Sequence, residues 1–228
     1  MWQQARTLYA PEKKRRRRLK RKSKSKLNNY SVIFAPMRIK DQSKTEAIFK
    51  ATLTLVKERG LAGINMSDIS KAASIGTGTL YIYFKNKDEL IKALFLQCRQ
   101  QSVLCYFAGV EAGMPFKERM RRVFSNIIGY KTAYFEVSAF LEQSYHSPFV
   151  SAADLKKKEK ALRPLFDLIK EGIEARTLKE VDMDVLVSYM FGIINEQVKK
   201  AYFRNKKLSP AIIAQVFTMF WDGIRRIK

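Results

Sequence analysis

The stretch Gly76–Leu90, GTGTLYIYFKNKDEL, limits what the chain can fold into more than any other part of it. Its centre, Thr79 to Phe84, is made of β-branched and aromatic residues that favour a strand, while the lysines and acids after it open a helix. A strand here needs a partner, and no second alternating apolar run bounded by turns occurs in the 228 residues. An isolated strand leaves its backbone unsatisfied. The segment therefore reads as a short helix from about Thr77, with Leu80 and Phe84 on one face at i and i+4. Thr79 and Tyr83 share another face, and Tyr81 stands beside them.

The rest of the chain agrees. KTEAIFKATLTLVKER, residues 44–59, sets Ile48, Thr52, Leu55 and Val56 at helical intervals, and Gly60 stops it. Asn65 with Asp68 three residues on forms a weak capping box ahead of a second, short helix. The glycines of SIGTG break that helix, and Gly76 or Thr77 can cap the next. Asn86 then caps a long helix running to Gly109. Further helices are expected over 116–130, 132–145, 152–175 with a kink at Pro164, 184–204 and 210–228. The fold class is all-α.

Charge narrows the partners. Lys and Arg number 44 against 21 acids, a net charge of +23, so polyanions are the natural targets, nucleic acid before anionic membrane. Residues 1–36 carry twelve of those cations and one acid, Glu12, in a run that includes EKKRRRRLKRKSKSK. Charges so dense repel one another and build no core, which marks 1–36 as a solvated extension, a nucleic-acid arm, or an over-long start ahead of Met37. No apolar run approaches the roughly 20 residues of a membrane span, and a soluble, cytoplasmic protein is expected. Cys98 and Cys105 lie seven apart on the long helix and read as buried thiols, because zinc spacing is absent. His146 has no convincing catalytic partner and no phosphate loop or metal cluster is visible, so neither an enzyme nor a cofactor is expected.

A helix, a glycine-containing turn and a second helix at this spacing form a helix-turn-helix, whose second helix enters the major groove. The small residues Thr77, Gly78 and Thr79 allow close approach to base edges. Hydroxyls of Thr79, Tyr81 and Tyr83 can donate to phosphate, and Lys87 with Lys85 adds charge-assisted contacts. AIFKATLTLVKERG followed by SDISKAASIGTGTLYIYFKNKDELI resembles the DNA-binding domain of the tetracycline-repressor (TetR) family of bacterial transcription regulators. That resemblance covers residues 41–101. It implies that Ser67 and Thr77 to Tyr83 face DNA and that Tyr83 and Lys87 clamp phosphates. Two positions depart from the family pattern: Ser74 stands where the turn glycine is usual, and Gly76 where a serine is common.

The same resemblance implies that residues 102–228 form a helical domain that binds a small effector and dimerises through its last two helices. VLVSYMFGIINEQV and AIIAQVFTMFWDGI are apolar on nearly all sides, as such helices would be. Phe107, Phe124, Tyr130, Phe135, Phe140 and Tyr189 are candidates to line the effector cavity, with Glu136 or Glu142 as counter-charge. The sequence thus points to a homodimeric repressor of a palindromic operator. The reading from another class is a sequence-neutral basic protein that coats nucleic acid or membrane through residues 1–36.

Overall fold

The computed structural model describes residues 42–145, 147–151 and 160–227. The basic extension, His146 and the start of the helix expected from 152 lie outside these. Nine named helices run through the described residues: α1 (Gln42–Arg59), α2 (Met66–Ala72), α3 (Thr77–Tyr83), α4 (Lys87–Tyr106), α5 (Phe116–Ala133), α6 (Phe135–Tyr145), α7 (Arg163–Glu174), α8 (Met183–Phe203) and α9 (Pro210–Ile224). The only pairing of strand type among them is an isolated bridge between Leu178 and Arg225.

Local chemistry accounts for the boundaries. Gly60 ends α1 at φ +74°, in the left-handed region that suits glycine. Asn65 and Asp68 complete the capping box of α2: the Asn65 side chain accepts from the Asp68 N–H, and the Asp68 carboxylate accepts from the Asn65 N–H. Asn86 caps α4 by accepting from the Glu89 N–H at 2.8 Å. Pro164 lies in the first turn of α7, where its missing N–H has no intrahelical partner to lose; Lys160 and Ala161 just before it are helical, and a turn at Leu162 separates them from α7. The last helix also ends before residue 228. The backbone leaves the helix at Arg225, and its neighbours pair with the 177–179 segment, Lys179 N–H to Ile224 O at 2.8 Å and Arg226 N–H to Thr177 O at 2.9 Å.

The turn between α2 and α3 explains the two departures noted in the sequence. Ile75 N–H donates to Ser70 O and Ser74 N–H to Lys71 O, the paired bonds of a Schellman turn, which needs a left-handed residue at the position Ser74 occupies. Ser74 adopts φ +55°. Gly76 is the N-cap of α3 with φ −63°, an ordinary conformation for any residue, and it supplies no side-chain cap. The serine and the glycine each sit where the other is favoured. Exchanging them, Ser74→Gly with Gly76→Ser, is expected to stabilise the protein by about 1 kcal/mol by relieving a left-handed side chain and adding a cap. A urea midpoint that fell in the double variant would refute this.

One apolar core joins the helices. α1 contributes Ile48, Phe49, Leu53 and Val56, α3 contributes Leu80, and α4 contributes Leu90, Ile91, Leu94, Phe95 and Cys98, all at most 1% exposed. α1 packs along α6, and α4 packs against both α5 and α6. α5 is in turn flanked by α8 and α9. Lys57 of α1 pairs with Glu136 of α6 at 3.3 Å, and just past α1 the Leu61 N–H donates to Gln143 Oε1 of α6 at 2.9 Å. The first three helices are therefore tied to the remainder by side-chain contacts as well as by the continuous α4.

Candidate nucleic-acid interface and the interior behind it

α3 is held as a platform by its two apolar anchors. Leu80 is fully buried and Phe84 nearly so, its ring 5.6 Å from that of Phe49 on α1. The opposite face is left open: Thr77, Gly78, Tyr81 and Ile82 are exposed, and Thr79 and Tyr83 are half-buried. Ser67, at the start of α2, is exposed too. The structure thus brings Ser67, Thr77, Gly78, Thr79, Tyr81 and Tyr83 onto α2 and α3, the two helices of the turn. Tyr83 also packs on the core edge. The Thr77 hydroxyl shares a 2.9 Å hydrogen bond with Ser70 Oγ, which fixes its rotamer and joins the two helices.

Lys87 has more internal partners than its sequence position suggests. Its ammonium donates to Ile64 O at 2.7 Å and sits 4.9 Å from the centre of the Phe149 ring. Partial burial lowers its pKa, with Asp88 acting in the opposite direction. Ile82 lies inside the Thr77 to Tyr83 stretch expected to face DNA, but the sequence reading gives it no role of its own. At 81% exposed it is the most exposed large apolar side chain among the described residues, and it stands between the outward tyrosines. The signal was available: Ile82 is two positions from Leu80 and two from Phe84, away from the face that those residues anchor.

The aromatic residues expected to line one cavity fall in several places. Phe124 is fully buried, stacked on Phe220 at 5.1 Å and edge-on to Phe217 at 5.5 Å, which joins α5 to α9. Phe140 is fully buried in the core. Phe135 stacks on Tyr202 at 3.6 Å, Phe107 caps the end of α4, and Tyr189 is 40% exposed on α8. Tyr130 is buried beside Tyr106 and Tyr134. Glu136 and Glu142 are engaged with Lys57 and Lys199. Both cysteines are free and buried, and burial pushes the Cys98 thiol pKa far up, so it stays protonated.

A helix-turn-helix that presents hydroxyls, an aromatic and an aliphatic side chain from a short second helix, mounted on a helical body, defines a DNA-binding regulator. Similarity to known proteins specifies which kind. Residues 48–94 match the model of bacterial regulatory proteins of the tetR family, and residues 115–225 match that of a tetracycline-repressor-like C-terminal domain. An HTH-type transcriptional regulator of Haemophilus influenzae is 28% identical over 189 residues, 81% of this chain and 99% of that protein. A TetR family transcription regulator from Marinobacter aquaeolei has the same fold with a TM-score of 0.77, at 25% identity over 83% of this chain and 99% of its own. The transcriptional regulator FadR of Bacillus subtilis, solved in complex with stearoyl-CoA, shares the fold at TM-score 0.63 and 22% identity, over 78% of this chain and 98% of its own. The chain belongs to the TetR family of DNA-binding transcription regulators.

Proposed function

We propose that the protein is a homodimeric, cytoplasmic repressor that binds a palindromic operator and is released from it by a small-molecule effector. Residues 41–101 bind DNA, and residues 102–228 bind the effector and dimerise. The observation that carries this reading is the exposed face of α3, where Thr77, Tyr81 and Ile82 point away from the buried Leu80 and Phe84. Dimerisation through α8 and α9 is supported by the apolar side chains those helices leave open: Val185, Tyr189, Phe203, Ile212 and Met219 are each at least 40% exposed. Effector binding is supported by the family, one of whose members was solved with an acyl-CoA.

In this reading Thr77, Gly78, Thr79, Tyr81 and Ile82 approach bases, Ile82 and the Tyr81 ring offering apolar surface to thymine methyls. Ser67, Tyr83 and Lys87 hold phosphates. Lys87 must exchange its bond to Ile64 O for a phosphate oxygen, which makes it a positioning contact. Footprinting on duplexes selected from a random pool tests the proposal. A dimer should protect two half-sites about one helical turn apart, with affinity falling steeply with salt. Lys87→Ala should weaken binding to all duplexes alike, while Thr77→Ala or Tyr81→Ala should change preference at particular base pairs by about 1–3 kcal/mol. A monomer on a single unrepeated site contradicts the proposal. So does loss of nearly all affinity on removing residues 1–36, which is the behaviour of a basic coating protein.

A further inference from the structure

Two cations, Arg99 and Lys131, are buried with aromatic rings beside them, Phe95 5.9 Å from Arg99 and Phe191 5.7 Å from Lys131. Arg99 and Tyr106, seven residues apart on α4, share a buried face of that helix, and Tyr130 and Lys131 are neighbours on α5, both buried. The Tyr106 and Tyr130 rings meet edge-on at 5.6 Å. Phe191 of α8 lies 6.4 Å from Tyr106, and the Lys131 ammonium is 5.7 Å from the Phe191 ring. Both phenols act electrostatically on Arg99, and Arg99 on Lys131. Arg99, Tyr106, Tyr130, Lys131 and Phe191 therefore form one cluster between α4, α5 and α8.

The cluster is electrically incomplete. Among the described residues neither Arg99 nor Lys131 makes an ion pair, and Glu142, the acid that acts on Lys131, is held by Lys199 at 2.5 Å. Hydrogen-bonding capacity is unused as well: Arg99 Nε and the Tyr130 hydroxyl are buried without a partner among the described residues. Two like charges in an apolar interior oppose folding unless an anion joins them, and a core that only had to pack is better served by leucine or methionine. The unused donors and the surplus positive charge ask for the same thing, an oxyanion.

We propose that this cluster is the effector site and takes a small, largely apolar molecule through an anionic oxygen headgroup, a carboxylate or a phosphate. Arg99 and Lys131 neutralise the headgroup, the Tyr130 hydroxyl donates to it, and Tyr106 with Phe191 flanks the apolar body. The site rests on the reading of this half as effector-binding. It reverses the preference for a cation that Glu136 and Glu142 suggested in the sequence, because both carboxylates are already paired.

The test uses the full chain and four probes of equal length below their micelle concentrations: decanoate, decyl phosphate, decanol and decyltrimethylammonium. Calorimetry and thermal melts should show binding and a raised Tm with decanoate, decyl phosphate or both, and neither effect with the alcohol or the ammonium. Whichever anion binds more tightly identifies the headgroup. Arg99→Met and Lys131→Met should each weaken anion binding at least tenfold, and Tyr130→Phe, which removes only the hydroxyl, should weaken it less. Equal binding of decanol, or undiminished anion binding by Lys131→Met, overturns the site. Specific operator binding by a protein that takes neither anion also overturns it and leaves the regulator standing. Anion binding with the stated losses in a protein that footprints no duplex upholds the site and removes the regulator reading instead.

Discussion

Phe124→Ala is expected to destabilise the protein by about 3–5 kcal/mol, a large part of what a domain of this size possesses. The side chain is fully buried and touches two rings of α9, Phe220 stacked at 5.1 Å and Phe217 edge-on at 5.5 Å. Truncation removes the transfer free energy of a benzyl group and both ring contacts. The resulting gap cannot close easily, because α5 is also held by α4 on its other side. Urea unfolding should show a much lower midpoint at an unchanged slope. A protein of nearly normal stability that had lost small-molecule binding would return Phe124 to the role of a cavity wall.

That outcome bears on what could be read from the residues alone. The DNA-binding end was legible because its signals are local and agree with one another. Glycine stops α1, a capping box starts α2, an asparagine starts α4, and the spacing of Leu80 and Phe84 fixes which face of α3 is buried. The strand-like composition of α3 did not prevail, since propensity is a weak preference and the helix gains two buried anchors. The larger half was legible only as a set of helices. An aromatic residue reads the same way whether it lines a cavity, fills a core as Phe124 and Phe140 do, or faces solvent as Tyr189 does. Which of these holds depends on how α5, α8 and α9 are arranged, and no motif encodes that arrangement.

Arg99 and Lys131 show the limit most clearly. Arg99 lies in QCRQQS, a polar run that looks like a solvated stripe, and Lys131 stands at the end of a helix, where cations are common. Neither pattern predicts burial. α4 is covered by α5 on one side and α6 on another, so a stripe that would be wet on a surface helix is dry here. The same packing suggests how an event in the interior could reach DNA. α4 runs from the cluster to Lys87, whose ammonium touches Ile64 O just before α2, and α6 touches Leu61 through Gln143. A ligand that drew Arg99 and Lys131 together would act on α4 and α5, and α4 carries any tilt directly to the end of α3. If such a ligand weakens DNA binding, coupling is reciprocal and DNA weakens binding of the ligand by the same factor.

Lys131→Met is expected to make the unliganded protein more stable at pH 7, by on the order of 3 kcal/mol, while removing anion binding. Burial lowers the Lys131 pKa to about 8, with Arg99 and Lys199 pushing in the same direction and Glu142 opposing them. In the unfolded chain the group titrates near 10.5. Below about pH 8 the ammonium is charged in both states, and the full penalty of burying it stands. Between about 8 and 10.5 the unfolded chain binds more protons than the folded one, so wild-type stability gains with rising pH and the advantage of methionine shrinks. Burial raises the pKa values of Cys98, Tyr106 and Tyr130, which act in the opposite sense at high pH. Both proteins share those groups, and the difference between them largely cancels the effect. Methionine follows the lysine stem closely enough to add little strain. Urea midpoints of the two proteins at pH 7, 9 and 10.5 measure the gap directly. A gap that does not narrow, or a methionine variant weaker than wild type at pH 7, would show that Lys131 is compensated in the free protein. A narrowing gap together with lost anion binding would show that the lysine destabilises the fold and serves the ligand.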